Sequence, residues 1–166
     1  MSRRLNPEEP VLFLDFDGVL HPDIVYRTLG RIILGVDGVA LFEWLPVLQE
    51  QLAQHADVQL VLSTSWVRVL GFNKTLRWLP PALRSRVVGA TWHSAMNAEA
   101  WEGLTRYMQI VSYVHRHNVT RWVAIDNDDM GWPDIAYDRL VHTDDMQGLG
   151  DERAQRELAE KLGLLR

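Results

Sequence analysis

The residues best equipped for chemistry stand in three short groups. They are Asp15 and Asp17 in Asp-Phe-Asp-Gly18, the hydroxyl run Ser63-Thr64-Ser65, and Asp126 followed by Asp128 and Asp129. Carboxylates brought together repel and shift one another's protonation unless a cation neutralises them. An all-oxygen set suits a hard ion, and Mg2+ characteristically takes one or two carboxylates, waters and a substrate phosphate. Each group alone has an ordinary explanation: a turn for Asp-x-Asp-Gly, a helix cap for Ser-Thr-Ser, a solvated loop for the third. What points to chemistry is that each closes an apolar run.

Those runs are the elements that must position the three groups. Val11 to Leu14, Val58 to Leu62 and Trp122 to Ile125 are short, unalternating and rich in β-formers, as strands buried on both faces are. Weaker strands are expected over Arg86–Thr91 and Leu140–Thr143. Helical spacing of apolar residues predicts helices over Phe42–His55, about Glu102 to His117, and Glu152–Leu162. Strands alternating with helices mean an α/β fold with a mainly parallel sheet and helices on both faces. In such sheets the carboxyl ends of the strands lie side by side, so acids distant in sequence converge there. One stretch breaks the alternation. Residues 21–41 are long for a strand-to-helix connection and rich in glycine and β-formers, which predicts a β-hairpin flap over the sheet end. Its Arg27 and Arg31 are cations that an anionic substrate could meet.

Composition limits the rest. The chain has 166 residues, no cysteine and a net charge of -5, so a single domain with a core of its own is expected and thiol chemistry is excluded. Mild acidity argues against a broad nucleic-acid-binding face but leaves room for a local basic groove. No apolar stretch approaches the ~20 residues of a membrane span, and the polar first ten residues do not read as a signal peptide. A cytoplasmic protein is therefore expected. Of the seven tryptophans, Trp66, Trp92 and Trp132 each follow a strand end, where an indole either packs or stacks on a base. His21, just after Asp-x-Asp-Gly, could touch a leaving group, but a loop histidine near a turn is as often incidental; His55, His93, His115, His117 and His142 show no zinc-binding spacing.

Val11-Leu-Phe-Leu-Asp-Phe-Asp-Gly-Val-Leu20, Leu60-Val-Leu-Ser-Thr-Ser-Trp66 and Val123-Ala-Ile-Asp-Asn-Asp-Asp129 resemble the first, second and fourth motifs of the haloacid dehalogenase-like (HAD) superfamily. Ser63-Thr-Ser-Trp66, Arg86–Thr91 and Val141-His-Thr-Asp144 with Gly148-Leu149 are further similar to the small HAD domain of Swiss Army Knife RNA-repair proteins. The resemblance implies a three-layer Rossmann-like fold, one HAD-like domain over 1–166 with 21–41 as a minimal cap, and a Mg2+-dependent phosphatase. It implies Asp15 as nucleophile forming an aspartyl-phosphate and Asp17 as general acid and base. It also implies Mg2+ on the Asp15 carboxylate, the Asp17 carbonyl and Asp126, and Thr64 or Ser63 donating to the phosphoryl group. An acid at Asp17 matches the phosphatases of the superfamily rather than its dehalogenases. The basic residue of the third motif is not in its usual place. Arg106 is the first candidate and Lys74 the reserve. Gly18, Ser63, Ser65 and Lys74 complete the substrate-binding candidates, and the role of Asp128 and Asp129 stays open. The implied partner is a phosphorylated substrate, with a nucleotide or nucleic-acid end fitting an open site; neither a membrane nor a protein partner is indicated. The alternative is a catalytically silent HAD-like or receiver-like phosphoacceptor module.

Overall fold

The computed structural model describes residues 4–29, 31–35 and 37–165, and not the side chains of Arg27 and Thr28. Strand β1 (Val11–Leu14) is followed by β2 (Val25–Thr28) and β3 (Arg31–Leu34), helix α1 (Leu45–Ala53), and β4 (Gln59–Leu62). Three short helices, α2 (Ser65–Leu70), α3 (Phe72–Leu76) and α4 (Pro81–Arg84), lead to β5 (Val87–Ala90). Then come α5 (Ala98–Glu102), α6 (Arg106–His117), β6 (Trp122–Asp126), β7 (Leu140–His142) and α7 (Glu152–Leu164).

Five strands form one parallel sheet in the order β5-β4-β1-β6-β7. The chain winds outward from β1 to one side and then returns to fill the other, which makes the ends of β1 and its neighbours the switch point where α/β sheets bind ligands. Alternation along β1 explains its fully apolar sequence. Leu12 and Leu14 face a core built with α1 and α7 through Leu48, Leu52, Leu158 and Leu162. Val11 and Phe13 face the opposite core, built with α6 through Ile110 and Tyr113. Phe13 meets Tyr113 and Trp122 edge-on, with ring centroids 5.6 and 5.7 Å apart.

The flap is a two-stranded antiparallel hairpin. Val25 and Ile32 turn inward against the core, while Tyr26 and Ile33 point to solvent. Gly30 and Val36 lie outside the described residues, as does the side chain of Arg27. Two boundaries differ from expectation. The helix expected from Glu102 starts only at Arg106, because Glu102 ends the separate α5 and Thr105 caps α6 through the Met108 N–H (3.3 Å). This break puts Arg106 in the first turn of a helix rather than on its flank. The helix expected from Phe42 begins at Leu45, because Phe42 takes a left-handed conformation (φ 60°) where the flap returns to the core.

Candidate active site

Parallel register sets Leu14 beside Ile125 and Leu62, so the next residues along, Asp15, Asp126 and Ser63, emerge side by side. Asp15 and Asp126 are both buried. Between them lies Arg106, with one guanidinium nitrogen 3.6 Å from Asp15 Oδ2 and Nε 2.9 Å from Asp126 Oδ2. The second approach is a charge contact without hydrogen-bond alignment, and among the described residues Asp126 Oδ2 has no hydrogen-bond partner although it is buried. Burial pushes the Asp15 carboxyl up to about 6, against the opposing pull of Arg106 and with a further push from Asp17; hydrogen bonds from the Phe16 N–H and Thr64 lower it. Asp126 is raised well above the usual carboxylate range by burial and by Asp15. For Arg106 burial works against the charge, yet Asp126 and Asp15 override it and hold the guanidinium above its ordinary value.

Asp17 lies one turn further along the same loop in different company. The Trp66 Nε1–H donates to both its oxygens at 3.0 Å, and His21 Nε2 is 2.9 Å from Oδ1. The loop carrying both acids turns at Gly18, whose φ of 69° and contact with Asn127 exclude a side chain. Thr143 Oγ1 donates to the Gly18 carbonyl at 2.7 Å. Gly18 thus shapes the loop.

Thr64 is buried, caps α2 and reaches Asp15. Ser63 is buried with its hydroxyl unpartnered among the described residues, and Ser65 is exposed at the rim. Of the two hydroxyls weighed for phosphate, Thr64 is the one in contact with Asp15. Arg106 rather than Lys74 is brought to the acids. Lys74 sits on α3 and lines a separate cavity with Arg31 and Trp78 beside the flap. Asp128 lines the cleft with Thr64 and Arg106, whereas Asp129 points outward to Tyr137 and His142. Trp66 and Trp132 are buried, and Trp92 lines the cleft with Trp101, ring centroids 5.7 Å apart. Sequence reasoning set His21 aside and did not single out Trp101. Only His21's place four residues after Asp17 hinted at its contact.

Among the described residues no three His, Cys, Asp or Glu side chains are arranged to hold a metal ion by themselves. The two buried carboxylates of Asp15 and Asp126 nevertheless have the donor chemistry that suits a hard cation keeping most of its waters. The unsatisfied Asp126 Oδ2 is the atom such an ion would relieve.

The family model described as "HAD domain in Swiss Army Knife RNA repair proteins" matches residues 11–154, spanning every group above. The chain belongs to this family. No curated protein and no solved structure matches it. As a HAD domain it falls in a hydrolase superfamily, and its five-stranded parallel sheet is the Rossmann-like sheet the family implies. Among the described residues no helix of this HAD domain is long and apolar enough to cross a membrane.

Proposed function

We propose that this HAD domain is a Mg2+-dependent phosphatase. The observation that carries the reading is the burial of Asp15 and Asp126 around Arg106, with a second acid, Asp17, on the same turn. Asp15 attacks phosphorus opposite the leaving oxygen, so that the bond to the leaving group breaks as an aspartyl-phosphate forms. Asp17 gives its proton to the leaving oxygen, then takes one from the water that attacks the same phosphorus, releasing phosphate and restoring Asp15. Arg106 offsets charge on the transferring oxygens, and Thr64 donates to one of them. When bound, Mg2+ supplies Lewis-acid neutralisation of phosphoryl charge, and Asp15, the Asp17 carbonyl and Asp126 are the groups that would hold it.

A nucleotide or nucleic-acid phosphate end is the substrate class we favour. A cleft of about 300 Å³ opens from Thr64 and Arg106 and is walled by the half-buried Trp92 and Trp101, with Arg68 nearby. Indoles in such a position stack on bases, worth ~1–3 kcal/mol each, and the family's association with RNA repair agrees. The test is hydrolysis of an aryl phosphate with Mg2+ by the wild type and by Asp15→Asn. Activity in the first alone supports the reading, activity in both removes Asp15 as nucleophile, and activity in neither favours a non-catalytic domain. Phosphorylated oligonucleotides assayed against sugar phosphates then test the substrate class, which fails if sugar phosphates are preferred.

A further inference from the structure

His21 is completely buried although it is polar and lies in a loop. Its Nδ1 receives the Phe42 backbone N–H at 3.2 Å. A backbone N–H can only donate, so Nδ1 is the acceptor and the neutral ring carries its proton on Nε2. That nitrogen donates to Asp17 Oδ1 at 2.9 Å. The Phe42 bond joins the two ends of the flap, and the Trp44 N–H to the Leu20 carbonyl (3.0 Å) joins them again. His21 therefore stands in a fixed place, tied to a fixed partner, and its tautomer is set by the fold.

Trp66 approaches Asp17 from α2. Its ring is packed among Phe16, Phe42, Trp78 and His21, with centroids 5.3 to 5.8 Å apart, and its N–H straddles the two carboxylate oxygens. Oδ1 thus accepts from both residues, while Oδ2 shares only the indole proton among the described residues. Asp17 also lines a mainly apolar slot of about 150 Å³ beside the flap, with Val25, Ile32, Ser65, Trp66, Val69 and Leu70. A leaving oxygen that is to receive a proton from Asp17 must come within hydrogen-bond reach of Oδ2.

We propose that His21 and Trp66 are positioning residues for Asp17, fixing Oδ1 between two donors and so aiming Oδ2 at the leaving oxygen. The inference rests on the phosphatase reading, with Asp17 as the acid. Misplacing such an acid by about an ångström can cost on the order of 10²-fold. The loss must depend on the leaving group, since a dinitrophenolate departs without a proton and an alkoxide does not.

The experiment compares kcat/KM for a simple alkyl phosphate and for dinitrophenyl phosphate, a parameter that stops at the transfer step and omits hydrolysis of the intermediate. Trp66→Phe keeps the aromatic packing and removes the donor. Its alkyl-to-aryl ratio of kcat/KM is expected to fall roughly 10- to 100-fold below wild type. His21→Leu should lower the ratio likewise, and His21→Gln, which keeps a donor at the same reach, should recover part of it. A merely structural role lowers both substrates together and leaves the ratio where it was, and that result overturns the proposal. If Trp66→Phe does not fold, the His21→Gln and His21→Leu pair still decides. Wild-type protein inert toward both phosphates removes the phosphatase reading and this inference with it. An active wild type with unchanged ratios removes the inference alone.

Discussion

Asp15 and Asp17 are two residues apart, yet they occupy opposite regions of the cleft. Asp15 is buried against a second carboxylate and a guanidinium, a compact cluster of charge whose balance is set by Arg106 and burial. Asp17 is partly open and held by two neutral N–H donors under an aromatic and apolar roof. One side suits an atom that must be a desolvated anion in the presence of compensating cations. The other suits a group that must be aimed. Two carboxylates on one loop gain different roles when their environments differ in charge and exposure.

The contrast can be broken most sharply on the Asp15 side. Asp15→Asn is expected to lower kcat by on the order of 10⁴-fold or more, the scale of losing a catalytic nucleophile; hydrolysis assays with Mg2+ check it. Arg106→Met comes next, with kcat falling about 10²–10³-fold as one charge-stabilising group is lost. Arg106→Lys should retain part of the rate, and equal loss in both variants would mean that shape rather than charge matters there. On the flap side, Ile32→Ala should alter the slot without touching the charge cluster. Steady-state assays should show KM for bulky aryl phosphates rising a few-fold, about 1 kcal/mol of lost apolar contact, while kcat stays within that range.

The smallest effect is on stability. Asp15 has an ordinary value of 3.8 and a folded value of about 6, so within that interval the folded protein holds a proton that the unfolded chain has released. Its stabilising contribution is full below about 3.8 and is lost as pH rises through about 6. Urea titrations in a chelator at the two ends of that interval should show a larger loss in wild type than in Asp15→Asn, where the raised Asp126 still contributes. Added Mg2+ should raise the stability of the wild type at the upper end through binding to the folded state.

Much of the Asp15 side was legible in the sequence. Unalternating apolar runs that end in Asp15, Ser63 and Asp126 become neighbouring parallel strands because both faces of the sheet are covered, and the convergence of their ends then follows from topology. Arg106 was reached through the family resemblance, in which the matching helix begins with a basic residue and an apolar run, while the periodicity alone began that helix at Glu102. Lys74 could not be dismissed, since nothing in its surroundings says where α3 points. The Asp17 side was far less legible. His21 and Trp66 are 45 positions apart in sequence, and their meeting on one carboxylate depends on how the flap root packs against α2. Periodicity carries no information about such contacts. Asp128 and Asp129 illustrate the same limit, since adjacent residues turn one into the cleft and one away from it.

The most direct test of the account is to quench wild-type protein with acid during turnover of a labelled aryl phosphate and to map the labelled peptide. The account predicts label on the peptide carrying Asp15, removable by hydroxylamine as an acyl phosphate is, and none in Asp15→Asn. Turnover without labelled protein, or label on a peptide that lacks Asp15, would contradict it.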